Sequence, residues 1–286
     1  MANLSLNPMA TTNAAGSFGV QSDGFIQGVA LDDPANRFNL ASGTVAATET
    51  KPLWGGLPVA ELLPGVNSSP RGSTIRRAVS LAELEGFTVF NQAHNGLTTP
   101  QSPVPLYASG MSVSFYRLGS NMRVPLKASA QVVALGTAGA SVKTPLAWDF
   151  VNNQVTTAAA AAFSGADIAT TAVTYSNGVA TATTASAHGL TAGQYVKVSG
   201  VAPAAYNGTV VVLSVPSTTT FTYAPASAPG GSATTQGTIG AVAQADITLP
   251  VKVISIESGN SKTVNYDSAT GFLTWNNTDS CALVLL

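Results

Sequence analysis

The sequence predicts an all-β protein: a jelly-roll or β-barrel-like body, an extended N-terminal arm, and an inserted small β-barrel or Ig-like module. Three observations lead there. Charged residues make up only 9% of the 286 positions, far below the roughly 25% usual in soluble domains. Ala, Thr, Ser, Gly, Val and Asn take their place, a mixture that suits strands and turns better than helices with Glu- and Lys-rich outer faces. Short β-type runs punctuated by turn residues recur along most of the chain. With 45% hydrophobic residues and a net charge of −1, the chain can bury a substantial core, and wholesale disorder is not expected.

Residues 1–70 read as the arm. Prolines at 8, 34, 52, 58, 64 and 70 interrupt regular structure, and no period of 2 or 3.6 is sustained. Isolated apolar residues, among them Phe18, Phe25, Phe38, Trp54 and Leu57, stand in this stretch as anchors that need a surface to dock on. Ser80-Leu-Ala-Glu83 has the spacing of a capping box, which predicts a short helix over 80–85 closed by Gly86. Val113, Phe115 and Arg117 alternate with Ser114 and Tyr116, as in a half-buried strand. Arg123–Lys127 and Ala130–Leu135 continue the β pattern. Trp148 to Val155 reads as a hairpin turning on Asn152-Asn153.

After the Ala run 158–162, residues 166–239 form the predicted inserted module. Val173–Tyr175 and Val179–Thr183 flank Ser176-Asn177-Gly178, whose Asn-Gly suits a primed turn. Val196 with Val198, Val210–Val215, and Phe221 with Tyr223 supply further strands at barrel-like spacing. Beyond the module, Ile247–Leu249, Val251–Ile256, Val264–Tyr266 and Phe272–Trp275 read as strands. Ala282–Leu286 reads as a buried terminal strand. The simplest topology joins 71–165 and 240–286 into one body that carries 166–239 as an insertion.

Charge is unevenly spread: net −3 over 1–70, +5 over 71–143 and −3 over 144–286. Such asymmetry suits contacts between copies or with a partner. The basic stretch lacks aromatic interleaving, and no direct nucleic-acid contact is expected. Titratable groups are sparse. His94 and His188 fall in different predicted domains, Asp32-Asp33 is the one adjacent carboxylate pair, and a single Cys281 forms neither a disulfide nor a thiolate cluster within the chain. Gly-x-Ser-x-Gly and the phosphate-loop glycine patterns are missing from the sequence. The reading is therefore of a non-enzyme without cofactor or metal. The first residues show no secretory signal, and no apolar run approaches the ~18–20 residues that span a bilayer, so synthesis in a cytoplasm without membrane insertion is expected.

Two resemblances sharpen this. His188-Gly-Leu-Thr-Ala-Gly193, Val196 to Pro203, Tyr206-Asn-Gly-Thr209, Thr219 to Tyr223 and Pro229 to Thr234 together resemble a small β module that recurs in bacteriophage structural proteins. Asp23-Gly-Phe-Ile-Gln-Gly28 and Lys51-Pro-Leu-Trp-Gly-Gly-Leu-Pro58, with the C-terminal β hairpins, resemble tailed-phage capsid cement (head decoration) proteins. That resemblance implies a homo-oligomer, dimer or trimer, on the outer surface of the virion capsid, bridging major capsid protein subunits. It makes Phe18, Phe25, Phe38, Trp54 and Leu57 the expected capsid contacts. A tail or baseplate protein is the alternative. So is host or glycan display by 166–239, with Tyr195, Tyr206 and Tyr223 as its recognition residues.

Overall fold

A computed structural model of the chain describes residues 24–31, 39–64, 72–90, 96–99 and 102–286. The protein is mostly β and contains two closed barrels. Two compact units divide the chain: one comprises residues up to Thr144 together with Pro250–Leu286, the other Pro145–Leu249.

The first unit opens with β1 (Leu40–Val45), β2 (Pro58–Leu62), β3 (Ser73–Arg77), β4 (Gly86–Val89), β5 (Leu97–Thr99), β6 (Ser102–Leu106), β7 (Ser112–Arg117), β8 (Arg123–Lys127) and a helix, α1 (Ala130–Thr137). Strands β1-β3-β2-β4-β7 close a five-stranded barrel. All its pairings are antiparallel except β1 with β3, where Gly43 sits opposite Ser73 in a parallel ladder. Residues 40–62, read from sequence as part of an arm, therefore supply two staves of this barrel. Their inward residues give the reason: Val45, Leu53, Trp54, Leu57 and Val59 join Ile75, Val113 and Phe115 in one core.

The capping box at Ser80–Glu83 forms as expected, but around a single 3-10 turn over Leu81–Glu83 that is capped at Leu84, and Gly86, expected to close a longer helix, opens β4 instead. The strand expected at Ala130–Leu135 is instead the helix α1. Ser129 Oγ accepts the Val132 N–H and so caps the first turn, which outweighs the β preference of the Val pair.

The second unit begins with the hairpin β9 (Leu146–Asp149) and β10 (Gln154–Thr157), then a one-turn helix α2 (Ala158–Ala161). Asn153 turns the hairpin at φ 50, as its sequence predicts. The Asp149 carboxylate holds the loop by accepting from the Val151 and Asn152 N–H groups and from Asn152 Nδ2. The barrel follows: β11 (Ile168–Ser176), β12 (Val179–Thr184), β13 (Tyr195–Ser199), β14 (Gly208–Ser217), β15 (Thr220–Tyr223) and β16 (Thr238–Gly240). These six strands close in the order β11-β12-β15-β14-β13-β16, every pairing antiparallel. Asn177 and Gly178 both take positive φ, 51 and 83, the signature of the primed turn read from sequence.

The chain returns to the first unit through a long hairpin, β17 (Lys252–Tyr266) and β18 (Leu273–Leu285). The four strands expected here are two, because register shifts at Val253/Ser255, Glu257/Ser261 and Ser261/Thr263 bend the ladder without ending it. The strand expected at 247–249 does not form: Ile247 ends a 3-10 turn over Gln244–Ile247, and Thr248 caps it. β18 is the central strand of a three-stranded sheet, β17-β18-β8. Its last residues, Cys281–Val284, are buried, as the apolar C-terminal run predicted. The far half of the hairpin sends Val264 and Leu273 into the core of the first barrel.

Candidate functional site

The two glycine-rich segments that carry the cement-protein resemblance meet in the first unit. Gly24–Leu31 runs as a main-chain stitch. Ile26 pairs with Lys262 of β17 and Leu31 with Arg123 of β8, Gly28 N–H donates to Pro125 O at 2.9 Å, and Phe90 N–H donates to Gly28 O at 2.8 Å. Gly28 has φ +75, and a Cβ there would lie 2.4 Å from Gly55 Cα. Gly56 has φ +84, and a Cβ there would lie 2.7 Å from the Gln27 side chain. Only glycine fits such an approach in that backbone conformation. Gln27 is itself buried and accepts the Val264 N–H through Oε1 at 3.0 Å. Thr88 closes the junction. Its Oγ1 accepts from Leu57 N–H at 2.9 Å and donates to Trp54 O at 2.5 Å.

Trp54 and Leu57 are therefore interior residues, 2% and 0% exposed, and the expectation that they contact a capsid is corrected. The Trp54 indole stacks on Tyr266 with centroids 5.6 Å apart, and the Arg77 guanidinium lies 4.8 Å from its ring centroid. Arg77 donates from Nη2 to Pro52 O at 3.0 Å. Burial lowers its pKa from the ordinary value, against the pull of Glu49, whose Oε2 accepts the Arg77 backbone N–H at 2.8 Å. Phe25 is half-buried along the stitch; its N–H donates to Ser261 Oγ at 3.2 Å and its carbonyl accepts from Lys262 N–H. Phe18 and Phe38, like Asp32, Asp33 and His94, lie outside the described residues.

Among the described residues, three ion pairs form within this unit. Glu61 takes a bidentate bond from Arg117, at 2.7 and 2.8 Å. Arg76 pairs with Glu83, and Lys127 lies 3.1 Å from Asp279. Of these, only Glu61–Arg117 joins the acidic 1–70 stretch to the basic 71–143 stretch, across barrel strands β2 and β7; Lys127–Asp279 ties the basic stretch to the acidic C-terminal one, and Arg76–Glu83 is internal to the basic stretch.

In the second unit, the three tyrosines expected at a recognition surface are core residues. Tyr195, Tyr206 and Tyr223 are all buried, and each hydroxyl donates to a carbonyl: Tyr195 to Trp148 at 2.6 Å, Tyr206 to Gly231 at 2.5 Å and Tyr223 to Tyr206 at 3.2 Å. Burial raises the pKa of all three, and at Tyr195 the nearby Asp149 adds to the rise. Rings buried to this degree, with their hydroxyls satisfied on the backbone, present no face to a sugar. The surface-recognition role of these residues is corrected accordingly. His188 is also interior. Its Nδ1 accepts the Leu190 N–H at 3.0 Å, and its ring meets Phe221 edge to face at 5.6 Å.

Among the described residues, no group of three or more His, Cys, Asp or Glu side chains could hold a metal ion. Cys281 is buried, with its thiol pushed up to about 12 by that burial, so it is a packed apolar residue rather than a nucleophile. No described helix is long and apolar enough to cross a membrane. The chain matches no protein-family model, and neither the curated proteins nor the solved structures contain a significant match to it.

Proposed function

We propose that the chain is a structural cement protein of a tailed-phage head, seated on the outer surface and bridging major capsid protein subunits. The observation that carries this reading is the meeting of Gly24–Gly28 with Leu53–Pro58. The two segments behind the resemblance are one physical object, a glycine-lined junction that ties the N-terminal stretch, the barrel and the C-terminal hairpin together. A cement protein does no chemistry; it needs a stiff body and attachments that act many times over a lattice. A closed barrel stitched to Gly24–Leu31 and to the C-terminal hairpin supplies the stiffness.

With Trp54 and Leu57 in the core, attachment falls to other residues. We assign it to residues 1–23, which include Phe18 and precede the described stitch at Gly24–Leu31. The test is binding to heads stripped of decoration. Removal of residues 1–23 is expected to leave the body folded and to abolish retention on the heads. Undiminished retention overturns the assignment of the arm, and failure of the full chain to bind any stripped head overturns the cement reading itself. Counting copies by cryo-EM of the virion separates a capsid lattice protein from a tail component.

A further inference from the structure

The three-stranded sheet β17-β18-β8 covers its own edges unevenly. The stitch at Gly28–Leu31 lies along β8, and Ile26 pairs with Lys262 in the second half of β17. Among the described residues, Lys252–Glu257 has no main-chain partner except β18. This edge carries Ile254, 45% exposed, between a cation at one end and an anion at the other. Bare edges of this kind are templates for another strand.

We propose that Lys252–Glu257 pairs antiparallel with the same segment of a second copy, forming a two-fold dimer through a continuous sheet. The register follows from the bulge. Val253 and Ser255 sit opposite consecutive residues of β18, Val284 and Leu283, so Ile254 is the extra residue. Beyond it the alternation resumes out of step with the numbering: Lys252, Ser255 and Glu257 share one face, Val253 and Ile256 the other. A two-fold axis at Ser255 then sets Lys252 opposite Glu257 of the second copy and Val253 opposite its Ile256, each pair on one face of the sheet. Charge meets opposite charge and apolar meets apolar in a single register, twice over by symmetry. Were the bulge missing, Lys252 and Glu257 would point to opposite faces and could not pair.

The inference deepens the homo-oligomer expectation of the cement reading by naming the edge that joins copies, and its test on the isolated chain can fail without touching capsid binding. Sedimentation equilibrium of the full chain tests it. The wild type is expected to dimerise, more weakly at high salt. Lys252→Glu and Glu257→Lys each create two like-charge pairs and are expected to raise the dimer dissociation constant roughly tenfold. The double exchange restores the pairing and the affinity. A chain that stays monomeric, an assembly with an odd number of copies, or a dimer indifferent to the single exchanges overturns the proposal. Circular dichroism of each variant confirms that the surface exchanges leave the fold intact.

Discussion

The two barrels solve the same geometric problem in opposite ways. The six-stranded barrel is contiguous, from Ile168 to Gly240, and wholly antiparallel. Its packing is almost entirely side chains from those residues: Val173, Ala182, Val196, Val212, Phe221, Tyr223 and Ile239 fill one core. The five-stranded barrel draws on distant segments. It contains a parallel pair, is stitched by residues near the start of the chain, and takes Val264 and Leu273 from near its end. One barrel is a local product of its sequence. The other exists only when remote parts of the chain come together, with the loop-closure entropy that this entails.

Cutting the chain gives the largest test of that difference. The fragment Pro145–Leu249 has its ends joined, with Leu249 N–H donating to Leu146 O at 2.8 Å. It is expected to fold alone with a cooperative thermal transition. A body in which a short Gly-Ser linker replaces 145–249 is expected to fold too, whereas residues 24–144 without 250–286 are not, since β18 is the central strand of their sheet. Circular dichroism and thermal melts distinguish the three outcomes, and a folded 24–144 fragment would break the comparison.

Trp54→Ala comes next. It removes the largest side chain of a core shared by remote segments, and should cost about 3–5 kcal/mol by chemical denaturation. Gly56→Ala should cost more than Gly178→Ala. Both glycines have positive φ, near +84 and +83, but only Gly56 has a side chain, that of Gln27, in the way. The open turn at Gly178 should lose about 1–2 kcal/mol from backbone strain alone, and the junction glycine that amount plus the cost of displacing Gln27. Equal losses at the two sites would mean that the junction is softer than its geometry states.

The smallest effect concerns Glu61. Its hydrogen bonds to Arg117 hold the carboxyl below its ordinary value of 4.5. A depressed folded pKa stabilises the fold above the unfolded value, and that contribution disappears as pH falls through the lower folded value. Because the Arg117 side chain is 51% exposed, the pair is worth at most about 1 kcal/mol. Glu61→Gln should lower stability slightly at neutral pH and flatten its decline in acid below about pH 4.5. A variant as acid-sensitive as the wild type would assign that decline to other carboxylates.

How legible each part was from sequence follows the same division. The Asn177-Gly178 turn, the Asn153 hairpin and the paired Phe221 and Tyr223 announce themselves within a few residues, because antiparallel neighbours joined by tight turns leave local marks. Strands β1 and β2 do not. Leu40–Val45 carries Ser and Gly in its middle, and Pro58–Leu62 is bracketed by prolines. Only pairing with β3 and β7 for the first, and with β3 and β4 for the second, makes staves of them, and that is decided farther along the chain. The same remoteness concealed Trp54, which looked like an anchor in search of a partner because its partners, Tyr266 and Arg77, belong to other segments. The tyrosines of the second barrel were ambiguous for a different reason: aromatic residues that alternate along a strand mark one face without saying which face is inside. Helix α1 was missed because Val132 and Val133 suit a strand and the deciding signal is a single capping serine.

The stitch formed by Gly24–Leu31 has a consequence for the order of events at the ribosome. Its partners in β17 and the central strand β18 are made more than two hundred residues later, after the entire second barrel has emerged. The inserted barrel can finish folding while the body still waits for its last strand. During that interval the early segments, with the Trp54 region exposed, are the part of the nascent chain in need of protection from aggregation.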